Sequence, residues 1–216
     1  RKALLHATNA KEIVQTLFTA NYPQAKGVIV STAAGFVDLS AELAFDEAKA
    51  KALLDEAGWV PQADGIRAKD GLPLVLSTYE SLNYLQNREV LQLVAQQWAK
   101  VGVKLNVLSG DLGSKTIDSL DPEKTALIPA MVGRADPDVI KSNYYPTNRN
   151  LLLQKGGISQ KVKSFEDTRL NGLFDAIAQE PDTARRLALT QDVQRYLIEQ
   201  AYVCLLYTSD AVDERS

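Results

Sequence analysis

Chemistry in this chain has few places to reside. The densest is Gly133-Arg134-Ala135-Asp136-Pro137-Asp138, one guanidinium and two carboxylates directly after the apolar run ALIPAMV at 126–132. A guanidinium there can grip a carboxylate or phosphonate-like group in a bidentate fork, or serve as a solvated surface arginine or half of an ion pair. Asp136 and Asp138 can contact a ligand, or cap the helix that follows, since aspartate beside proline commonly does so. Tyr79, Tyr144 and Tyr145 each pair an apolar ring with a polar tip, which suits a cleft wall and equally suits half-buried packing. His6, the single histidine, has no Cys, Asp or Glu at metal-ligand spacing and reads as a surface or packing residue.

Catalytic signatures are missing. There is no G-x-S-x-G elbow, no phosphate-cradling glycine loop and no H-E-x-x-H. Carboxylates are plentiful, so a hydrolase fragment with a carboxylate-based site is the competing reading, and it requires a pocket with perturbed carboxylates. A net charge of −3 and a pI near 5.3 supply no basic field for a phosphate backbone, which argues against nucleic acid as a partner. No stretch approaches the roughly 18 to 20 consecutive apolar residues of a membrane span.

A chain of 216 residues with 45% apolar content can bury a sizeable core, enough for one large domain or two small ones. Residues 1–20 read as two helices meeting at Asn9, a cap with Glu12 three residues on. Residues 22–43 hold Pro23, Gly27 and Gly35 without sustained period and read as a surface connection. Asp46 caps a helix whose face carries Ala50, Leu53, Leu54 and Ala57, stopped by Gly58. Two extended runs, 66–68 and 73–79, flank Lys69-Asp70-Gly71 as a hairpin whose glycine supplies a positive φ. An amphipathic helix over 83–100 buries Leu85, Val90, Leu91, Val94 and Trp98, and a strand follows at 103–108. Strand, helix and returning strand predict an α/β fold, a mixed sheet flanked by helices. ALIPAMV fits a buried strand, with Pro129 marking an edge or bulge. Two further helices, 165–179 and 182–202, are separated by Pro181 with Asp182 as cap.

The wording of 45–76, FDEAKAKALLDEAGW followed by DGIRAKDGLPLVL, resembles solute-binding protein family 5, the extracytoplasmic proteins of peptide and nickel ABC importers. LQLVAQQWAKVGVKLNV and QRYLIEQAYV extend the resemblance over almost all of 1–203. It implies an incomplete second lobe of a two-lobed, type II periplasmic-binding-protein-like fold, whose lobes close on a ligand and dock on an ABC permease. It also implies a periplasmic or lipid-anchored monomer with a peptide or small-molecule ligand, no cofactor and no catalytic role. On this resemblance the ligand-contacting residues are Arg134, Asp136, Asp138, Tyr79 and Tyr145. Peptide-binding members carry G-W-x-x-D-x-x-D-P-D, whose first aspartate holds the peptide ammonium. Here the tryptophan is missing and Gly133 stands three before Asp136, which weakens a free peptide N-terminus as the anchor. Relatives can bind a metal chelate, so the resemblance leaves a nickel role for His6 open.

From Cys204 the chain reads CLLYTSDAVDERS, which resembles the conceptual translation of a transposon-based sequencing adapter, CLLYTSDAADE. Residues 204–216 are therefore expected to be non-native. On that reading the native part has no cysteine, and disulfides, catalytic thiols and zinc–cysteine sites fall away.

Overall fold

The computed structural model describes residues 1–18, 22–81, 86–110, 124–130, 138–145 and 167–208. The chain divides into two compact units, Arg1–Thr19 with Ala44–Met131, and Ala20–Leu43 with Val132–Ser216.

In the first unit, α1 (Lys2–Ala7) and α2 (Ala10–Leu17) meet at Asn9, whose side chain accepts the Glu12 N–H at 3.1 Å. Helix α3 (Glu47–Glu56) starts where Asp46 accepts the Lys49 N–H and ends as Gly58 and Trp59 donate back to Asp55 and Leu54. Strands β1 (Val60–Pro61), β2 (Arg67–Lys69) and β3 (Leu72–Pro73) form a small antiparallel sheet in the order β1-β2-β3. Lys69 pairs with Leu72 across a two-residue turn in which Asp70 (φ 53°) and Gly71 (φ 78°) are both left-handed, so the aspartate shares the role expected of the glycine alone.

The extended run expected over 73–79 does not belong to one sheet. Leu74 donates its N–H to the Arg67 carbonyl (2.7 Å) and accepts the Lys104 N–H (3.1 Å), so the chain changes partners there. Beyond it, β4 (Val75–Tyr79) pairs in parallel with β5 (Lys104–Leu108), in register from Val75↔Lys104 to Tyr79↔Leu108. Among the described residues the expected mixed sheet is thus two small sheets, antiparallel and parallel, joined at Leu74. Helix α4 (Asn87–Ala99) makes the crossover and buries Val90, Leu91, Val94 and Trp98. It begins after Gln86 in a left-handed conformation (φ 53°) rather than at 83, and Leu85 lies outside the described residues. Of ALIPAMV, residues 126–130 are described and form no strand. Ala126 donates to the Ser77 carbonyl (2.9 Å) and Leu127 accepts the Thr78 hydroxyl (2.9 Å), but Pro129 has no N–H to extend a ladder along β4.

The second unit contains α5 (Asp138–Tyr144), α6 (Thr168–Gln179) and α7 (Thr183–Glu199). Asp167 and Asp182 cap the last two, accepting from Leu170 and Arg185 at 2.9 Å each. Leu170, Phe174, Val193 and Leu197 are buried. The connection 22–43 is not a surface feature: Ala25, Val28, Ile29, Ala33, Leu39 and Leu43 are buried. It closes on itself through Leu39 N–H to Lys26 C=O (2.7 Å), and α7 holds it where Gln191 and Gln194 donate to the Phe36 and Gly35 carbonyls. A loop whose backbone groups are satisfied in this way can be buried without helical or strand periodicity. Among the described residues no helix is long and apolar enough to cross a membrane.

Candidate functional site

Parallel strands joined by a crossover helix place their carboxyl ends together, and in open α/β sheets ligands bind outside those ends. Here β4 and β5 end opposite one another at Tyr79 and Leu108, and the Glu80 N–H continues the pairing to the Leu108 carbonyl (3.0 Å). Asn87, at the start of α4, accepts the Ser81 N–H at 2.6 Å, so the helix is tied to the strand it follows. That tie brings Arg88 to the edge. Its Nη1 donates to both carboxylate oxygens of Glu80 (3.3 and 3.2 Å) and to Ser109 Oγ (2.9 Å), while the Ser109 hydroxyl donates to Glu80 Oε1 (2.6 Å). The Glu80 side chain is 11% exposed and that of Arg88 52%, so the carboxylate is the buried anchor and the guanidinium the outward part. Tyr79 is half-buried at the same edge.

In the second unit Tyr145 follows α5, and its hydroxyl donates to Asp175 (2.8 Å). Its ring lies 5.4 Å from that of Phe174, and Lys141 Nζ lies 5.4 Å from the Tyr145 ring centroid. Tyr144 is buried, and that burial pushes its phenol well above the ordinary range. Asp167 is engaged four ways, by the hydroxyls of Tyr196 (2.9 Å) and Tyr202 (2.6 Å) and by the backbone N–H groups of Leu170 and Arg169. Burial alone would raise its carboxyl, but the hydrogen bonds outweigh that and hold it below the ordinary value.

The model of the bacterial extracellular solute-binding proteins, family 5 (middle region), matches residues 1–159. The chain belongs to this family. The family 5 chain is 25% identical over 205 residues to the dipeptide-binding protein of Escherichia coli, covering 93% of itself and 35% of that protein. It is 30% identical over 118 residues to the glutathione-binding protein of Salmonella typhimurium, covering 55% of itself and 21% of the relative. The fold matches an oligopeptide-binding protein of Thermus thermophilus complexed with a pentapeptide, at TM-score 0.77 and 21% identity over 97% of this chain and 37% of that one. The family 5 chain therefore spans about a third or less of the length of these curated relatives.

Of the ligand contacts expected in this family 5 chain, Arg134 and Asp136 lie outside the described residues. Asp138 is the first residue of α5, so a helix does follow the D-P-D stretch. Tyr79 belongs to the first unit and Tyr145 to the second. His6 is buried, its Nδ1 2.9 Å from the Ala44 carbonyl oxygen, which makes it a packing residue. Glu80, Arg88 and Ser109 did not emerge from the sequence as a group. Their one visible signal is position, since Glu80 and Ser109 each directly follow a strand and Arg88 lies in the first turn of the helix between those strands.

Proposed function

We propose that this chain is most of the second lobe of an extracytoplasmic substrate-capture protein for an ABC importer, with residues 204–216 derived from an adapter. Two lobes close around a peptide or related small solute, and the closed form docks on a membrane permease. Closure follows from the ligand's greater affinity for the closed state. The whole protein works as a monomer in the periplasm or lipid-anchored outside the membrane, and has no catalytic role. The observation that carries this reading is family membership over residues 1–159, joined to similarity with a dipeptide-binding protein over 93% of the chain. The carboxyl edge of β4 and β5 supports it by offering a tyrosine, a guanidinium and a hydroxyl where a cleft ligand would be met. Arg134 and Asp136 are further contacts on this reading. Dipeptides and glutathione, which the relatives are named for binding, both present carboxylates that such groups complement.

The test is to recover the full-length gene, express the mature protein and screen thermal shifts with peptides, nickel chelates and sugars. A ligand that binds only the native state raises the midpoint by mass action. A shift with one class, lost in Arg134→Ala or Asp136→Ala, is the expected result. No shift with any class, together with hydrolytic turnover of one of them, overturns it in favour of a carboxylate-based hydrolase.

A further inference from the structure

We infer that Arg88 is a carboxylate-anchoring residue, presented at the carboxyl edge of β4 and β5 by Glu80 and Ser109. The inference rests on the substrate-capture reading and adds to it a residue and a ligand chemistry.

The manner in which Arg88 meets its partners carries the argument. An arginine engaged in a structural ion pair commonly lays two nitrogens along a carboxylate, the fork-to-fork arrangement that uses its geometry best. Arg88 does not. Three oxygens, both of Glu80 and that of Ser109, converge on the single nitrogen Nη1. Nε and Nη2, which form a second fork along another edge of the plane, have no partner among the described residues. The side chain is thus gripped at one corner, with a complete two-donor edge left over and about half its surface in solvent.

The grip is itself held in place. Glu80 is nine-tenths buried, fixed through its backbone N–H to Leu108 and through its carboxylate to the Ser109 hydroxyl. Ser109 accepts from Arg88 and donates to Glu80, so a donor chain runs from the guanidinium through the hydroxyl to the carboxylate. A side chain ordered in advance loses less rotamer freedom when a ligand arrives. The group suited to the remaining edge is planar with two adjacent acceptor oxygens, a carboxylate, for which a guanidinium fork is the matching donor. Glu80 and Ser109 are positioning residues here, and Arg88 is the one that touches ligand.

The experiment uses the full-length protein and calorimetric titration with alanyl-alanine, penta-alanine and glutathione, each as free acid and as carboxamide, with raffinose as a carboxylate-free solute. The expected result is that at least one free acid binds about tenfold or more tighter than its amide, the scale of charge-assisted hydrogen bonds. Arg88→Lys, which keeps the charge beside Glu80 but loses the fork, should abolish most of that preference. So should the charge-neutral pair Glu80→Gln with Arg88→Gln, and ligand-free melting curves establish that both variants fold. Binding without preference for the acid, binding of raffinose alone, or a preference unchanged in the folded variants overturns the anchor and leaves substrate capture standing. No binding of any probe overturns substrate capture, and the anchor with it.

Discussion

Arg67 ties together several segments of the first unit, the end of α3, the chain after it and the turn before β5. It is buried in the small sheet, where Nε donates to the Val101 carbonyl (2.8 Å) and Nη1 to the Trp59 carbonyl (2.6 Å) and the Asp55 carboxylate. Asp55 is 59% exposed, so solvent screens the ion pair and the two carbonyl bonds matter more. Gly102 makes this packing possible. A Cβ there would lie 2.7 Å from Arg67 Cγ, and its φ of +85° disfavours any other residue, whereas Gly71 has φ +78° and open space around it. Gly71→Ala should therefore cost only the left-handed backbone term, roughly 1–2 kcal/mol, and Gly102→Ala roughly 2–4 kcal/mol because overpacking adds to it. Urea titration of both variants checks the order, and equal losses would contradict the close contact. Asp167 gives a pH prediction at the same scale. Its carboxyl is depressed in the folded chain against about 3.9 unfolded, so below about pH 4 the unfolded state binds more protons. The stabilisation is present above that value and is lost as pH falls through the lower native one. Asp167→Asn should flatten the acid limb of a stability–pH curve, while an unchanged limb would mean that other carboxylates dominate it.

Between elements, the α1–α2 junction is fastened to α4 by polar groups rather than by apolar contact alone. Gln97 pairs with the Asn9 backbone, accepting its N–H (2.9 Å) and donating to its carbonyl (3.3 Å), and Nε2 also reaches Glu12. The buried Trp98 indole donates to Thr8 Oγ (2.9 Å), which in turn donates to the Leu4 carbonyl. Thr8→Val keeps the shape but strands a buried indole N–H, so a loss of about 1–3 kcal/mol is expected in urea unfolding. A neutral result would mean that the indole finds another acceptor. Much at this scale was readable in advance. The helices of the final pair, the spacing of Val90, Leu91, Val94 and Trp98, and the caps at Asn9, Asp46 and Asp182 are local patterns with local causes. The exchange of partners at Leu74 was not, because PLVLSTY has the same apolar texture on either side of it. The buried connection 22–43 also escaped, since its burial depends on glutamines of α7, over 150 positions away. For the same reason types alone flagged Arg134 and the aspartates, but could not assemble Glu80, Arg88 and Ser109, which meet only through the β4–α4–β5 crossover.

On the scale of the whole molecule, the end of the chain poses a physical question. Leu206 accepts the Ala25 N–H (3.2 Å), Thr208 donates to the Pro23 carbonyl (3.0 Å), and Tyr207 bridges to Gln24 with its ring edge-on to that of Tyr22. Backbone bonds of this kind can be made by almost any extended segment that follows α7, because strand pairing reads backbone rather than side-chain identity. Such pairing at 206–208 is therefore open to an adapter-derived sequence and to a native one alike. Leu205, Leu206, Tyr207 and Thr208 are half-buried, and a segment selected for that position would bury more, at roughly 25 cal/mol per Å² of apolar area. The expected outcome is that source DNA read across codon 203 departs from CLLYTSDAVDERS. A chain carrying the recovered continuation to the same length should then unfold at a higher temperature than the 216-residue chain. Source DNA that continues as CLLYTSDAVDERS would make the tail native, and the pairing at 23–25 a selected part of the second unit.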